Sequence, residues 1–554
     1  MTSPTVARLL AARQQDDNIA LHADDCVWSW RDVVAESAAR ASLLRALGLG
    51  EGRAAHVGVL LENVAEYVFL LGGAALAGAV VVGINPTRRG AELALDIRHT
   101  DCAILLTDSS LVGLLEGLDL GDCRTILVDS PQWGALLSPH SRAQMPDVLP
   151  DADSLFLLLF TSGSTGAPKA VRMTQGRAAR TAQASAVAFT SEDVLYCAMP
   201  LFHGNALLAN LLPGVVSGAT VVLRKRFSAS AFLPDVRRHG CTYFNYVGRV
   251  LSYILAVPES SDDADNRLKW GLGSEASPRD LKEFRRRFGC FVVEGYGSSE
   301  GAVVIQPVPG MPPDALGRPK DGLDVAVVDP STGVECPRAR FGDNRILLNA
   351  GEATGEIVGR DGLSSFEGYY ANPEADAERG RDGWYWSGDL GYRDDDGIFY
   401  FAGRSADWLR VDGENFSAAP VERILGRFPG VAAVVVYAVP DSQTADQVMA
   451  AVEFDTGTGF DPVAFSSFLA TQPDLGTKWA PRYVRIVDLL PLTATGKIDR
   501  KPLRSQGWTA ADPVWWRSSV DQPYSLLTGA DVAALQQAFV DSGRAALIDL
   551  RSPT

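Results

Sequence analysis

Up to about residue 400 the chain alternates short apolar runs with longer amphipathic stretches: 55–61 then 67 onward, 103–107, 125–128, Leu155–Phe160, Thr220–Leu223 and 291–293. Strand-length runs separated by helix-length spacers are the pattern of parallel sheets covered by helices, so the large part is expected to be α/β. After Gly403 the texture changes. Strands at 431–439 and 449–454, a helix near Pro462–Ala470 and a strand around Tyr483–Val487 predict a compact α+β unit. This sets the expected boundary, a domain of residues 1–403 followed by one of 404–554. From about Gln506 the chain carries Trp508, Trp515, Trp516 and Tyr524. That is too aromatic for a free tail, which is expected to pack back on the small domain.

The stretch 67–84, YVFLLGGAALAGAVVVGI, has no charge and stands at the lower edge of a membrane-spanning length. Its four glycines argue against a span. The first half reads as a buried helix and AVVVGI as a β-branched strand, with Gly78 at the turn. Residues 207–223 repeat the pattern, and Pro213 and Gly214 are expected to break it in the same way.

A chain of 554 residues exceeds one hydrophobic core, and 46% apolar with 21% charged residues is globular composition. The formal charge of -16, without a block of Lys or Arg, argues against a nucleic-acid partner. Seven scattered cysteines with no C-x-x-C pair fit a reducing cytoplasm. The first residues lack the long apolar core of a signal peptide and carry Asp16 and Asp17, so no secretion is expected. These properties are compatible with at most peripheral membrane contact and with a homodimer.

The densest chemistry lies in FTSGSTGAPKAV, 160–171, directly after the run Leu155–Phe160. Gly163 and Gly166 let backbone N–H groups turn onto an anion, Thr161, Ser162, Ser164 and Thr165 add hydroxyl donors, and Lys169 adds charge. This composition suits a phosphate cradle, although the blander reading is a polar turn between two strands. A Walker loop opens a helix, whereas here Lys169 leads into another β-like run, KAVRM.

This block resembles the signature loop of the adenylate-forming superfamily of acyl-CoA synthetases, adenylation domains and luciferases. The resemblance continues in order through EGYGSSEG (294–301), WSGDLG (386–391), GRSADWLRVDGENFSAAPVE (403–422) and PLTATGKIDR (491–500). It implies a large N-terminal domain of parallel-type sheets and a smaller mobile C-terminal α+β domain. It also implies ATP, Mg2+ and coenzyme A, with acyl-AMP formed first and the acyl group then passed to the thiol. On that resemblance Glu300 matches the magnesium-binding glutamate, with Thr161 a second contact to metal and phosphates. Tyr296 offers a face to adenine beside Gly297 and Ser298, and Gly273, Ser274 and Glu275 line the other side of the base. Asp389 matches the ribose-binding carboxylate, Arg404 an arginine near the same sugar and phosphate, and Lys497 the lysine that reaches the carboxylate and α-phosphate. The hinge falls on Ala406, where many relatives have Asp or Lys, and Asp412, Gly413, Glu414 and Asn415 would face CoA. Taken singly, Glu300 reads as a solvated loop residue, Asp389 as a hairpin residue and Lys497 as a surface lysine; their order carries the assignment.

Within the superfamily the chain looks most like the very-long-chain acyl-CoA synthetases, also called fatty-acid transport proteins. The cradle ends in PKA, 245–258 is similar to that branch's YIGE-type helix, and RSADWLRVDGEN and DPVWWR…YSLLT resemble its later segments. Two departures are GLGSEASP in place of GNGLRP and the lack of a visible N-terminal anchor. The acyl pocket is expected to be lined by His203 and Gly204 of PLFHGNAL and by Tyr246, Val247 and Gly248, with His203 either gating it or satisfying a core hydrogen bond. One methylene contributes only about 1–3 kcal/mol of discrimination, so residue types leave medium-chain, long-chain and steroid side-chain acids open. The competing functions are an acyl-AMP ligase that loads a carrier protein, a lipid-uptake facilitator and a catalytically inactive acyl-binding module. No insertion that would block domain rotation is evident between Gly317 and Trp386.

Overall fold

The computed structural model describes residues 3–49, 55–161, 168–276, 278–312, 315–342, 347–404, 408–411, 414–442, 446–476, 478–493, 496–519, 522–542 and 544–549. Packing divides the chain into two compact units. The first comprises Met1–Ala302, Leu363–Arg381 and Ala494–Gly496, and the second Val303–Gly362, Asp382–Thr493 and Lys497–Thr554.

Two sheets build the first unit. One runs in the order Phe291–Glu294, Trp270–Gly273, Tyr243–Asn245, Val194–Cys197, Thr220–Leu223, Ile19–Ala23, Cys26–Ser29, parallel throughout except for the last pair. The other runs Arg124–Leu127, Ile104–Thr107, His56–Leu60, Val80–Gly83, Leu155–Phe160, Ala170–Thr174, again parallel except at the final pair. Inner strands such as His56–Leu60 and Val80–Gly83 are buried at every position, so they read as continuous apolar runs rather than alternating ones.

The uncharged stretch 67–84 folds as helix, turn and strand. Helix Ala65–Ala77 ends at Gly78 in the left-handed conformation (φ 76°), and strand Val80–Gly83 follows. Its glycines serve packing: a Cβ on Gly72 would sit 2.1 Å from Ser37 Oγ, and one on Gly73 would sit 2.6 Å from Arg40 Cβ. Helix Trp30–Ala46 can therefore approach closely. Among the described residues no helix is long and apolar enough to cross a membrane.

The second such stretch departs from expectation. Pro213 and Gly214 do not end the helical segment; a widened π-type turn, Leu207–Leu211, runs into helix Leu212–Ser217, and the break comes at Gly218 (φ 78°). Pro213 stands directly after the widened turn, as the second residue of helix Leu212–Ser217. Gly214 packs against strand Thr220–Leu223, with a Cβ placed only 2.9 Å from Val221 Cγ2.

In the second unit the strands Val325–Val328, Gly355–Gly359, Trp384–Arg393 and Phe399–Arg404 pair antiparallel in that order, a local change from the parallel pattern of the first unit. A mixed sheet follows, in the order Val431–Pro440, Asp446–Phe454, Tyr483–Val487, Val514–Trp516, Ser525–Leu526, with helices Ala418–Leu425 and Pro462–Ala470. The aromatic C-terminal stretch supplies its last two strands. Trp508 and Tyr524 are buried, and the Tyr524 hydroxyl donates to the Pro481 carbonyl.

Candidate functional site

Strands Leu155–Phe160 and Ala170–Thr174 form an antiparallel pair, with Phe160 opposite Ala170 and the Thr161 N–H donating to the Lys169 carbonyl at 3.0 Å. Thr161 and Lys169 therefore stand at the facing ends of an antiparallel strand pair at a sheet edge, and the lysine leads into a strand as the sequence indicates. Ser162, Gly163, Ser164, Thr165 and Gly166 lie outside the described residues. Lys169 is largely covered, and its ammonium pairs with Glu378 at 2.8 Å, which holds the Glu378 carboxyl below its ordinary range.

A segment far along the chain lies on that edge strand. The Tyr370 N–H donates to the Ala170 carbonyl (2.8 Å), the Arg172 N–H to the Gly368 carbonyl (3.0 Å), and Tyr369 stands opposite Val171. The Asn372 amide adds a bond to the Pro168 carbonyl at 3.2 Å. This register delivers the Tyr369 hydroxyl to Glu300 Oε1, 2.7 Å away, with both residues buried. The Glu300 turn is held independently. The Arg177 guanidinium donates to the Ser299 carbonyl, and a Cβ on Gly301 (φ 66°) would meet Arg177 Nη2 at 2.6 Å, so glycine is needed there on both counts. Glu367 accepts from the N–H and hydroxyl of Thr174 at 2.7 and 2.6 Å, fixing the start of helix Gln175–Ala186, which carries Arg177.

The other motif residues of this unit gather at the C-terminal ends of neighbouring parallel strands, the position where open α/β sheets bind ligands. Gly273 ends Trp270–Gly273, Tyr246 follows Tyr243–Asn245, and Glu294 ends Phe291–Glu294. The ring of Tyr246 lies directly on Gly273, where a Cβ would come within 2.2 Å of Cε1. Its hydroxyl donates to Glu294, which also accepts the Ala276 N–H at 3.3 Å. Burial pushes the Glu294 carboxyl above its ordinary value and the Tyr246 phenol upward as well. Ser274 accepts the Gly248 N–H through its carbonyl (2.9 Å), and Glu275 adopts a left-handed φ of 71°. Tyr246, fully buried, is thus a wall of this turn, and Val247 beside it is buried too. Tyr296 and Gly297 form a short strand, with Gly297 and Ser298 exposed.

His203 is half-buried and accepts the Asn205 N–H at Nδ1 (3.4 Å); a Cβ on Gly204 would meet Ser299 Oγ at 3.2 Å and Leu159 Cδ1 at 3.5 Å. The turn expected at the acyl pocket therefore adjoins the Glu300 turn. Behind it, Asn245 donates to Asn205 Oδ1 (2.6 Å) and Asn210 to Asn245 Oδ1 (2.8 Å) and the Tyr196 carbonyl (3.0 Å). Sequence reading missed this amide ladder, together with Tyr369, Arg177 and Glu294. The only signal available was polar residues inside apolar runs, such as Asn210 in ALLANLL.

In the second unit, Asp389 and Arg404 occupy facing positions of adjacent strands, although 14 residues lie between them. The turn is fixed by bonds from the Gly388 N–H to Glu356 (2.7 Å) and from the Asp389 N–H to Ser387 Oγ (3.0 Å). Lys497 stands at a tight turn in which its N–H donates to Thr493 Oγ1 (3.2 Å) and its carbonyl accepts the Thr493 N–H (2.7 Å). Strand Glu414–Ser417 begins with Glu414 and Asn415, two of the four residues expected to face CoA; Asp412 and Gly413, and the hinge candidate Ala406, lie outside the described residues.

Glu300 Oε1 is committed to Tyr369, while Oε2 has no hydrogen-bond partner among the described residues. A lone carboxylate with one oxygen available fits Mg2+, which keeps several waters and takes few protein ligands. Among the described residues there is no group of three or more His, Cys, Asp or Glu for a metal held entirely by protein.

Comparison with known proteins agrees along the whole chain. The family model described as AMP-binding enzyme matches residues 10–370, and that of the AMP-binding enzyme C-terminal domain matches 420–497. Steroid-22-oyl-CoA synthetase of Rhodococcus jostii is 52% identical over 548 residues, covering 98% of each chain. Medium/long-chain-fatty-acid–CoA ligase FadD17 of Mycobacterium tuberculosis is 44% identical over 516 residues, covering 93% of this chain and 99% of the relative. Among solved structures, ATP-bound MatB from Rhodopseudomonas palustris superposes with a TM-score of 0.79 at 25% identity, covering 91% of this chain and 99% of MatB.

Proposed function

This chain belongs to the AMP-binding enzyme family and is an ATP-dependent acyl-CoA synthetase, and on that premise we propose that its acid is a steroid bearing a carboxylated side chain. The observation that carries this choice is the 52% identity to steroid-22-oyl-CoA synthetase across 98% of both chains. A medium- or long-chain fatty acid is the second reading, favoured by the 44% identity to FadD17.

The reaction joins a carboxylate oxygen to the α-phosphorus of ATP and expels pyrophosphate; the CoA thiol then attacks the acyl carbon and expels AMP. In the proposed assignment the loop 161–169 holds the phosphates, with Lys169 leaving Glu378 to do so, and Tyr296 and the 273–275 turn take the base. Asp389 and Arg404 serve the ribose side. Lys497 stabilises the charge that develops as the carboxylate meets the α-phosphate, an effect worth most where water is excluded. Glu300, with Thr161, would hold Mg2+, which when bound neutralises phosphate charge. His203, Gly204, Tyr246, Val247 and Gly248 line the acyl side, and Asp412–Asn415 the CoA side. The functional boundary falls between 403 and 404, inside the second packing unit, with the hinge at Ala406. We place the enzyme in the cytoplasm, as a monomer or homodimer with at most peripheral membrane contact.

The test is pyrophosphate release and thioester formation, with and without CoA, across short, medium, long-chain and steroid side-chain acids. The expected result is highest kcat/KM and CoA-thioester formation with a steroid acid. A preference of tenfold or more for a fatty acid would replace the steroid assignment with the second reading.

A further inference from the structure

The residue bonded to Glu300 comes from none of the motif blocks. Tyr369 is buried at 3% exposure, its ring set against Phe366 (5.3 Å between centroids) and clustered with Val171 and Ala375. Its backbone stands opposite Val171, in the strand that leaves the lysine end of the loop. The hydroxyl therefore ties one oxygen of Glu300 to the same frame that carries Lys169. Arg379 Nε, 3.4 Å from the Tyr369 oxygen, adds a donor to the phenol.

We propose that Tyr369 is a positioning residue for the metal-binding carboxylate: by donating to Glu300 Oε1 it fixes the plane of the carboxylate and directs Oε2 to the cation. The inference rests on the reading of Glu300 as the magnesium ligand. Hydrogen bonds to a ligating carboxylate set its orientation, and their removal typically lowers metal affinity by about 10–100-fold. A buried tyrosine also needs a partner simply to satisfy its own hydroxyl. The two roles differ in what the Tyr369→Phe variant, which keeps the packed ring, does to metal dependence.

The experiment is calorimetric titration of ATP into the full-length chain without metal and across a Mg2+ series, for wild type, Tyr369→Phe, Glu300→Gln and the double variant, with adenylation rates measured over the same series. Tyr369→Phe is expected to leave metal-free ATP affinity within about twofold, to reduce the gain in ATP affinity due to Mg2+ about tenfold, and to raise the Mg2+ half-saturation by a similar factor. In the Glu300→Gln background the same substitution should change neither quantity, because the carboxylate that Tyr369 positions for the cation is already absent, even though the amide oxygen can still accept from the phenol. An unmoved Mg2+ series in Tyr369→Phe, with Glu300→Gln shifted, overturns the positioning role alone. Equal loss of metal-free and metal-dependent binding in Tyr369→Phe also overturns it, as the mark of a structural role. An unmoved series in Glu300→Gln removes the metal assignment itself.

Discussion

Gly273→Ala is the most informative single perturbation of the strand ends. A Cβ at this position would lie 2.2, 2.3 and 2.4 Å from Cε1, Cζ and Cδ1 of Tyr246, so the ring must move by at least about 1.3 Å to restore ordinary van der Waals contact. It has little freedom to do so. Tyr246 is fully buried, stacks with Phe244 at 5.9 Å between centroids, and donates its hydroxyl to the half-buried Glu294 carboxylate. Overpacking of this kind costs about 1–3 kcal/mol, and loss of a hydrogen bond to a charged group about 1.5–3 kcal/mol more. The expected destabilisation is therefore roughly 2.5–6 kcal/mol, accompanied by weaker ATP binding because the same strand end leads into Ser274 and Glu275. The assay is urea unfolding followed by tryptophan fluorescence, with Trp270 on the affected strand, alongside ATP affinity by calorimetry. Tyr246→Phe keeps the ring and removes only the hydroxyl, so Gly273→Ala should cost less in that background than in wild type, by the hydrogen-bond share. A Gly273→Ala chain with an unfolding midpoint and ATP affinity equal to wild type would refute the reasoning.

Two further outcomes are expected. Lys497→Ala should slow carboxylate-dependent pyrophosphate exchange by about 100-fold or more, yet leave thioester formation from supplied acyl-AMP within a few-fold; equal loss in both half-reactions contradicts the assigned role. Burial raises the folded Glu294 carboxyl above its ordinary value of 4.5, so the unfolded chain ionises first and this group subtracts stability as pH rises from about 4.5 to the folded value. Glu294→Gln removes that contribution. Its stability relative to wild type should accordingly climb with pH above about 4.5 and stay level below it, and parallel urea-midpoint profiles at pH 4, 5.5 and 7 would contradict the assignment.

Much of the architecture was legible in local pattern. The helix-turn-strand of 65–83, the strands on either side of the 161–169 loop and the inward packing of Trp508 and Tyr524 all follow from side-chain periodicity and glycine placement, which act over a few residues. The motif segments were recognisable as well, because hydroxyl-rich, carboxylate and lysine positions recur there in short blocks and in family order. Pro213 was misread as a stop because its effect depends on the widened turn before it and on the strand packed beside Gly214.

What the residues alone determined is therefore the list of elements and the chemical inventory: a hydroxyl-rich loop, single carboxylates and a lysine in family order. Tertiary structure decided which groups hold that inventory in place. The pairing of Val171 with Tyr369, the clamp of Arg177 on the Ser299 carbonyl and the seat of Tyr246 on Gly273 join residues from 27 to 198 positions apart. Such contacts depend on strand order and register, which arise only when buried faces from distant segments are satisfied together. For Glu300 this means that the sequence names the carboxylate, while the fold supplies the phenol that occupies one of its oxygens.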